Sequence, residues 1–386
     1  MPSTGHYIKT TVGGETVEAF VPNPLPPDPM PNLGPEGEEL MGEANRALGR
    51  LDGISRLLPD PLLFLYFYVR KEAVLSSQIE GTQSSLSDLL LFEREGEAEA
   101  AAQDVREVSN YVAAMDHGLR RLREDGFPIS LRLFRELHGI LMSSGRGHDK
   151  APGEFRRTQN WIGGSRPGNA RFVPPPPDKA GECMGQLELF LHDQFGKTPV
   201  LLKAAFAHVQ FETIHPFLDG NGRLGRLLIT FILCAEHAIR EPLLYLSYFF
   251  KKNRNEYYDL LQSVRTNGNW EGWLRYFLTG VVETADDSVQ AAQKILALFE
   301  HDRLRIGELG RRSGSALRVH QLLQRHPYLN AREIVERAGL SHPTALTTLK
   351  DLEGLNIVRV QKRSRRGQIY AYQSYIDILS EGTEPL

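Results

Sequence analysis

Cysteine is nearly missing from this sequence: Cys183 and Cys234 are the only two in 386 residues, in no metal-binding or redox spacing. That excludes a disulfide scaffold, and a pair of reduced packing thiols suits the cytoplasm, which is the expected location. Long hydrophobic runs are missing too. Nothing approaches the roughly 20 apolar residues that span a bilayer, so no membrane partner is expected. The N-terminus lacks a basic segment followed by an apolar stretch, so no signal peptide is expected. Charge of one sign is also lacking: 45 Lys and Arg against 48 Asp and Glu leave a net charge of -3. Such a balance gives no global footprint for nucleic acid or an anionic surface, although a local patch is compatible with it. What is present is an ordinary globular composition, 41% hydrophobic and 24% charged, in a chain long enough for two domains or more.

Helical periodicity dominates. Residues 1–38 are rich in Pro and Gly and read as an extended arm, followed by a first helix from Glu39 to Leu58. A strongly apolar helix is expected from Leu62 to Ile79, stopped at Gly81, with Glu80 at its end. On local chemistry alone Glu80 is a solvated side chain at a helix terminus. Glutamates among alanines at 93–102 read as a solvated helix or linker. Further helices are expected at Asp104–Arg123, Ser130–Met142, Asp178–Gln194, Val200–Ile214, Leu224–His237, Asn253–Arg265 and from Trp270 to about Leu304. Between Gly145 and Pro177 the pattern breaks. There Trp161, Ile162, Gly163 and Gly164 lead into a Gly/Pro/Asn-rich tip and return at Phe172-Val173, which reads as a β-hairpin or an irregular loop. It is the strand pair expected before the C-terminal region.

The most informative stretch runs from His215 to Arg226: His-Pro-Phe-Leu-Asp-Gly-Asn-Gly-Arg-Leu-Gly-Arg. Glycines at 220, 222 and 225 let a backbone approach a ligand closely, and such a turn opening a helix is an anion site. Arg223 and Arg226, three apart, lie on neighbouring positions of one helix face. Asp219 can hold a cation and His215 can accept a proton near neutral pH. Two rival readings fail. Gly220-x-Gly222-x-x-Gly225 matches a dinucleotide-binding pattern that needs a preceding strand, and a helix precedes it here. A metal site of His208, His215 and Asp219 would need His208, whose spacing puts it on the core stripe as a packing residue.

The same twelve residues match, at every defining position, the signature of the Fic family, His-x-Phe-x-Asp/Glu-Gly-Asn-Gly-(Arg/Lys)-x-x-Arg. The resemblance extends over about residues 60–280. It implies a mainly α protein, a helical catalytic domain with a small β-hairpin flap, that moves AMP from ATP to a Ser, Thr or Tyr hydroxyl of a target protein. It also implies the roles: His215 as general base, Asp219 on Mg²⁺, and Gly220, Asn221, Gly222, Arg223, Gly225, Arg226 and Tyr258 on ATP. Trp161, Ile162, Gly163 and Gly164 would form the flap that receives the target. Ser76-x-x-x-Glu80-Gly81 resembles the family's inhibitory pattern, with Glu80 pairing to Arg226 so that ATP binds unproductively. Some relatives of this type also remove AMP, which would give Glu80 a second use.

Beyond residue 281 a helical linker is expected to 315, then a winged helix-turn-helix over 316–386. Its marks are two short helices around Gly339-Leu340-Ser341 and two strands flanking the basic tip Lys362–Arg366. The alternative class is therefore a nucleotide-sensing regulator that binds DNA through this unit. The residues do not name the target protein. Self-modification and a homodimer are both compatible with the resemblance.

Overall fold

The computed structural model describes residues 4–55, 61–95, 103–192, 198–364 and 367–385. Part of the acidic stretch at 93–102 and the basic tip's Arg365 and Arg366 lie outside these residues.

The chain opens with a hairpin, β1 (Gly5–Val12) and β2 (Glu15–Pro22), antiparallel in register from Gly5–Pro22 to Val12–Glu15. The expected arm is thus a paired ribbon up to Pro22. Its turn is Gly13-Gly14, both at positive φ (59° and 85°), as a tight two-residue hairpin loop requires. The helices α1 (Gly34–Ser55), α2 (Pro61–Ile79), α3 (Leu86–Glu95), α4 (Gln103–Arg123) and α5 (Leu131–Leu141) follow. Residues 142–176 then run without regular elements beyond one isolated bridge, Ile162 to Phe172, and a short turn at Pro167–Asn169. The expected flap hairpin is therefore a loop closed by a single bridge. Positive φ at Gly163 and Gly164 bends one arm, and four prolines at 174–177 remove the donors a second strand would need.

Next come α6 (Pro177–His192), α7 (Val200–Ile214), α8 (Asn221–Ala235), α9 (Ser247–Lys252) and α10 (Arg254–Asn267). Helix α7 is buried along its whole length from Leu201, which fits a sequence apolar nearly all round, and it packs against α8 at the centre. Helix α4 crosses α8 where Gly118 meets Phe231; a Cβ on Gly118 would lie 2.3 Å from the Phe231 ring. Helix α11 (Trp270–Gly307) runs unbroken into the stretch expected as a helical linker, 281–315, and it lies along α1.

The C-terminal unit comprises α12 (Ser313–Arg325), β3 (Tyr328–Asn330), α13 (Ala331–Ala338), α14 (His342–Gly354), β4 (Arg359–Ser364), β5 (Gly367–Ala371) and α15 (Gln373–Ser380). Its sheet is antiparallel in the order β3-β5-β4, with a bulge between Val360 and Lys362. Asn330 and Glu333 form a reciprocal cap at the start of α13, and Gly339 closes it in the left-handed region. One continuous apolar core extends from Val21 through α2, α4, α7 and α8 to Tyr375 and Leu379. No helix among the described residues is long and apolar enough to cross a membrane.

The Gly118–Phe231 contact sets how closely α4 approaches α8. Gly118→Val overpacks it and is expected to destabilise the fold by about 1–3 kcal/mol, read as a lowered Tm in thermal unfolding. An unchanged Tm would show that the two helices do not meet there.

Candidate active site

The site is built where α7 ends and α8 begins. His215 caps α7 in the left-handed region (φ 49°, ψ 60°), a strained position for a residue with a side chain, and Gly220 takes the same region before α8 (φ 74°). What holds this loop is side-chain bonding to its backbone. Arg156 is buried; its Nε donates to the His215 carbonyl at 2.9 Å and its Nη2 to the carbonyls of Ile214 and Pro175, while its own N–H reaches Pro216 O at 2.9 Å. Asn160 donates to Phe217 O at 3.1 Å. His138 stacks on Phe217 with ring centroids 3.8 Å apart; its Nε2 donates to Asp219 O at 3.0 Å and its Nδ1 accepts from Gly153 N at 2.8 Å. Those two bonds fix one neutral tautomer, and burial lowers the His138 pKa to about 4.

Asn221 closes the loop on itself. Its Oδ1 accepts from Phe217 N and its Nδ2 donates to Phe217 O, both at 2.9 Å. The buried side-chain amide is thus committed to backbone, and the donor that Asn221 keeps for an anion is its own N–H. The first-turn N–H groups of α8, which have no intrahelical acceptor, remain as the anion-facing donors.

The two arginines behave differently. Arg223 is buried, with Nη2 against the Met142 sulfur at 3.3 Å and Nη1 3.5 Å from Glu107, while its Nε and Nη1 make no hydrogen bond among the described residues. Unspent buried donors of this kind fit an anion. Glu107 is itself held by Arg146 through Nε at 2.9 Å and Nη2 at 3.2 Å. Arg226 is engaged on one side: Nε donates to Ser76 Oγ at 2.8 Å, and Nη2 to Ser76 O at 3.0 Å and Glu80 Oε1 at 2.7 Å. Ser76 and Glu80 stand one turn apart at the end of α2, so both face this guanidinium.

The Glu80 side chain keeps 35% exposure. Burial works to raise its carboxyl, but the Arg226 charge and hydrogen bond outweigh it, and the carboxyl is held below the ordinary range. Its Oε1 lies over the start of α8, 2.2 Å from where a Cβ on Gly222 would stand. A carboxylate therefore rests against both the glycine turn and Arg226.

Sequence reasoning missed Glu72 and Glu212. Glu72, one turn before Ser76, accepts from Ser247 and from Tyr111 OH at 3.2 Å; burial pushes its carboxyl up to about 7. Glu212 is also buried and pushed up to about 7, with Oε1 making no hydrogen bond among the described residues. His208 is a packing residue, as its spacing indicated: Nδ1 donates to Gly225 O at 2.9 Å and Nε2 accepts from Tyr257 OH at 2.8 Å. Tyr258 packs on Tyr257 and under Arg254, within the field of Glu80 and Arg226; burial pushes its phenol up to about 12.

Asp219 is half-buried, and its Oδ1 accepts from Gly220 N at 2.6 Å. No cluster of three metal-ligating side chains occurs among the described residues. The flap lies beside this floor: Trp161 is 37% exposed, Ile162 bridges Phe172, and Gly163 and Gly164 turn the chain between them. The N-terminal hairpin buttresses it, with Phe20 N donating to Val173 O at 2.9 Å and Arg166 pairing with Glu15 at 2.7 Å.

The family models described as Fic/DOC family N-terminal and Fic/DOC family match residues 38–120 and 128–233, the second ending within α8. Over these two stretches, just under half of the chain, it is similar to the Fic/DOC family. Fic relatives include insect proteins named Protein adenylyltransferase Fic. That of Culex quinquefasciatus is 34% identical over 160 residues, 41% of this chain and 29% of the relative. That of Aedes aegypti is 31% identical over 212 residues, 54% of this chain and 39% of the relative. The chain thus spans well under half the length of these relatives. Among solved structures, a Fic family protein from Desulfovibrio desulfuricans superposes with a TM-score of 0.58 at 20% identity, over 88% of this chain and 97% of that one. A Fic domain containing signaling protein from Bacteroides thetaiotaomicron gives 0.50 at 20% identity, over 65% and 98%. At that identity the likeness is one of fold.

Burial, then the positive charges of Arg265 and Arg156, lower the His215 pKa to about 3 from an ordinary 6.5. The unfolded chain binds a proton there that the folded chain refuses. The stability tied to the neutral ring is fully present above pH 6.5 and declines as pH falls toward about 3. In a histidine-resolved NMR titration, His215 is expected to show no protonation step between about pH 8 and 5, where an exposed histidine titrates. A step centred near 6.5 would overturn this electrostatic account.

Proposed function

We propose that the protein transfers AMP from ATP to a Ser, Thr or Tyr hydroxyl of a target protein, and that Glu80 restrains it. The observation that carries this reading is the α8 start: glycine backbone, Arg223 with unspent donors, and Arg226 holding a carboxylate where a phosphate would sit. We assign catalysis to residues 61–280 and target docking to the flap at Trp161–Gly164.

In the transfer, the target hydroxyl oxygen attacks the α-phosphorus of ATP, the bond to the β-phosphate oxygen breaks, and pyrophosphate leaves. His215, neutral throughout the physiological range, takes the hydroxyl proton. The α8 N–H groups with Arg223 and Arg226 bind the phosphates and stabilise charge on the leaving group. Asp219 suits Mg²⁺ carried by the nucleotide, since this ion commonly takes one or two carboxylates and completes its shell with phosphate and water. Bound there, Mg²⁺ would offset phosphate charge. Glu80 competes with phosphate for Arg226. We assign Tyr258, which lies within the field of this pair, to the nucleotide as well.

We further read the C-terminal unit, 316–386, as a winged helix-turn-helix; the capped α13, the left-handed Gly339 and the β3-β5-β4 sheet support that reading. A nucleic-acid role would appear as a gel shift that weakens with salt.

Glu80→Gly is expected to raise incorporation of labelled AMP at least roughly tenfold, a change worth about 1.4 kcal/mol. Equal slow incorporation by this variant and the native chain would remove Glu80 from control. His215→Ala is expected to abolish incorporation while calorimetry still finds ATP binding. Unchanged incorporation in that variant would remove His215 from the base role.

A further inference from the structure

Glu80 sits at the C-terminal end of α2, where the helix dipole disfavours a carboxylate. Its position over Arg226 therefore depends on what fixes the last turn of α2. Part of that turn is tied to α10, through Arg254 Nε donating to Ile79 O at 3.1 Å. The other tie comes from the far end of the chain. Gln78, two residues before Glu80, is fully buried, and its Nε2 donates to Ser84 O at 2.9 Å and to Thr383 O at 2.7 Å.

The segment that supplies this acceptor is itself firmly docked. Thr383 is buried, and both its N–H and its hydroxyl donate to Ser380 O at 2.9 Å. Gly382 adopts φ +79° against the Tyr248 ring, where a Cβ would come within 2.3 Å of Cε2. Lys251 of α9 donates to Gly382 O at 3.3 Å and to Glu384 O. Lys294 of α11 pairs with Glu381 at 3.0 Å. Upstream, Tyr375 of α15 packs edge-on against Phe67 of α2 with centroids 5.4 Å apart. Residues 375–384 thus touch α2 near its start and again beside Glu80. When the segment leaves, Gln78 loses one of its two acceptors, the shorter one to Thr383 O, and the turn loses its tie to the end of the chain.

We propose that residues 380–384 are a second part of the inhibitory device. With the segment docked, the last turn of α2 delivers Glu80 to Arg226. With it displaced, that turn loosens and Arg226 is freed for phosphate. The inference rests on the reading of Arg226 as a phosphate-binding group. It makes the C-terminal unit, which continues directly into this segment through β5 and α15, a controller of the catalytic arginine.

The test uses the full chain carrying Gly382→Val, whose side chain collides with Tyr248 and strains the backbone. Lys251→Met serves as a second variant, untying the segment from α9 without touching α2. Two readouts are taken: labelled-AMP incorporation, with Glu80→Gly as reference, and amide hydrogen exchange over residues 76–82. Both variants are expected to raise incorporation roughly fivefold or more, the usual scale of coupling between sites, and to speed exchange at 76–82. Adding Glu80→Gly to either is expected to give no more activity than Glu80→Gly alone. Native-like exchange at 76–82 in both variants overturns the proposal. So does faster exchange with native-like incorporation while Glu80→Gly is active. If Glu80→Gly incorporates nothing, the AMP-transfer reading fails, and exchange alone decides whether the segment holds the turn. If Gly382→Val does not fold, Lys251→Met decides by the same outcomes.

Discussion

A buried guanidinium must have partners, and the arrangement around Arg226 follows from meeting that demand. It lies where the first turn of α8 faces the last turns of α2, out of contact with bulk water. Removing an ionised partner from such a group leaves an uncompensated buried charge, which is costly. Three donor bonds, to Ser76 Oγ, Ser76 O and Glu80, satisfy it in the state described here. Two of those acceptors belong to Ser76 and stay whatever Glu80 does. Under the proposed function the carboxylate is the acceptor that exchanges, and a phosphate oxygen is an anionic acceptor that can take its place. On that proposal one anion replaces another, and no bare cation is left buried in between.

That exchange needs a rigid floor, and the floor is made by residues with no part in the chemistry. The left-handed backbone at His215 and Gly220 is expensive to hold, and Arg156, Asn160, His138 and Asn221 all spend hydrogen bonds on the loop's carbonyls and amides. Each is buried or half-buried, so each bond forms in a low-dielectric setting and is costly to leave unmade. Because the backbone is fixed by these groups, the His215 ring, the Arg223 donors and the α8 amides are left unspent. Gly222 and Gly225 serve the same end from the other side. A Cβ at Gly222 would strike Glu80, and one at Gly225 would strike the Glu212 carboxyl at 2.6 Å.

The helices and the twelve-residue motif were legible in the sequence because both are local. Apolar spacing set α4, α5, α7 and α10, and the glycines and arginines at 220–226 declared an anion site by their own chemistry. Glu80 was legible only through a resemblance, since nothing near it in sequence indicates a partner 146 residues away. Arg156, His138, Glu107, Glu72 and Glu212 were not legible at all. Each acts through a contact between segments far apart in sequence, and a single polar residue looks the same in sequence whether solvated or buried. The hairpin β1–β2 is a different failure. Its alternation around Gly13-Gly14 was visible, but the Pro-rich stretch beside it drew the reading toward an unpaired arm. For the flap, local sequence leaves a β-hairpin and an irregular loop both open, and glycine and proline reduce its apolar runs to one bridge.

Local control of Arg226 by Glu80 alone would need only the end of α2. The rest of α2 shows why more of the chain is involved. Its apolar face is covered by α4, α9 and α15, so its position is set by elements from three separate parts of the sequence. Helix α11 strengthens that dependence, since it runs without a break from the body beside α10 to the C-terminal unit. A single core continuous across both regions leaves no compliant joint of the kind a solvated linker would supply among the described residues. Displacement of the C-terminal unit is therefore absorbed by polar contacts that can reform, such as those of Lys251 and Lys294, or passed to the end of α2. The packed rings of Phe67, Tyr375 and Phe299 resist it. That path ends at the last turn of α2, which is held by the Gln78 amide, by Arg254 on Ile79 O and by the Glu80 carboxylate.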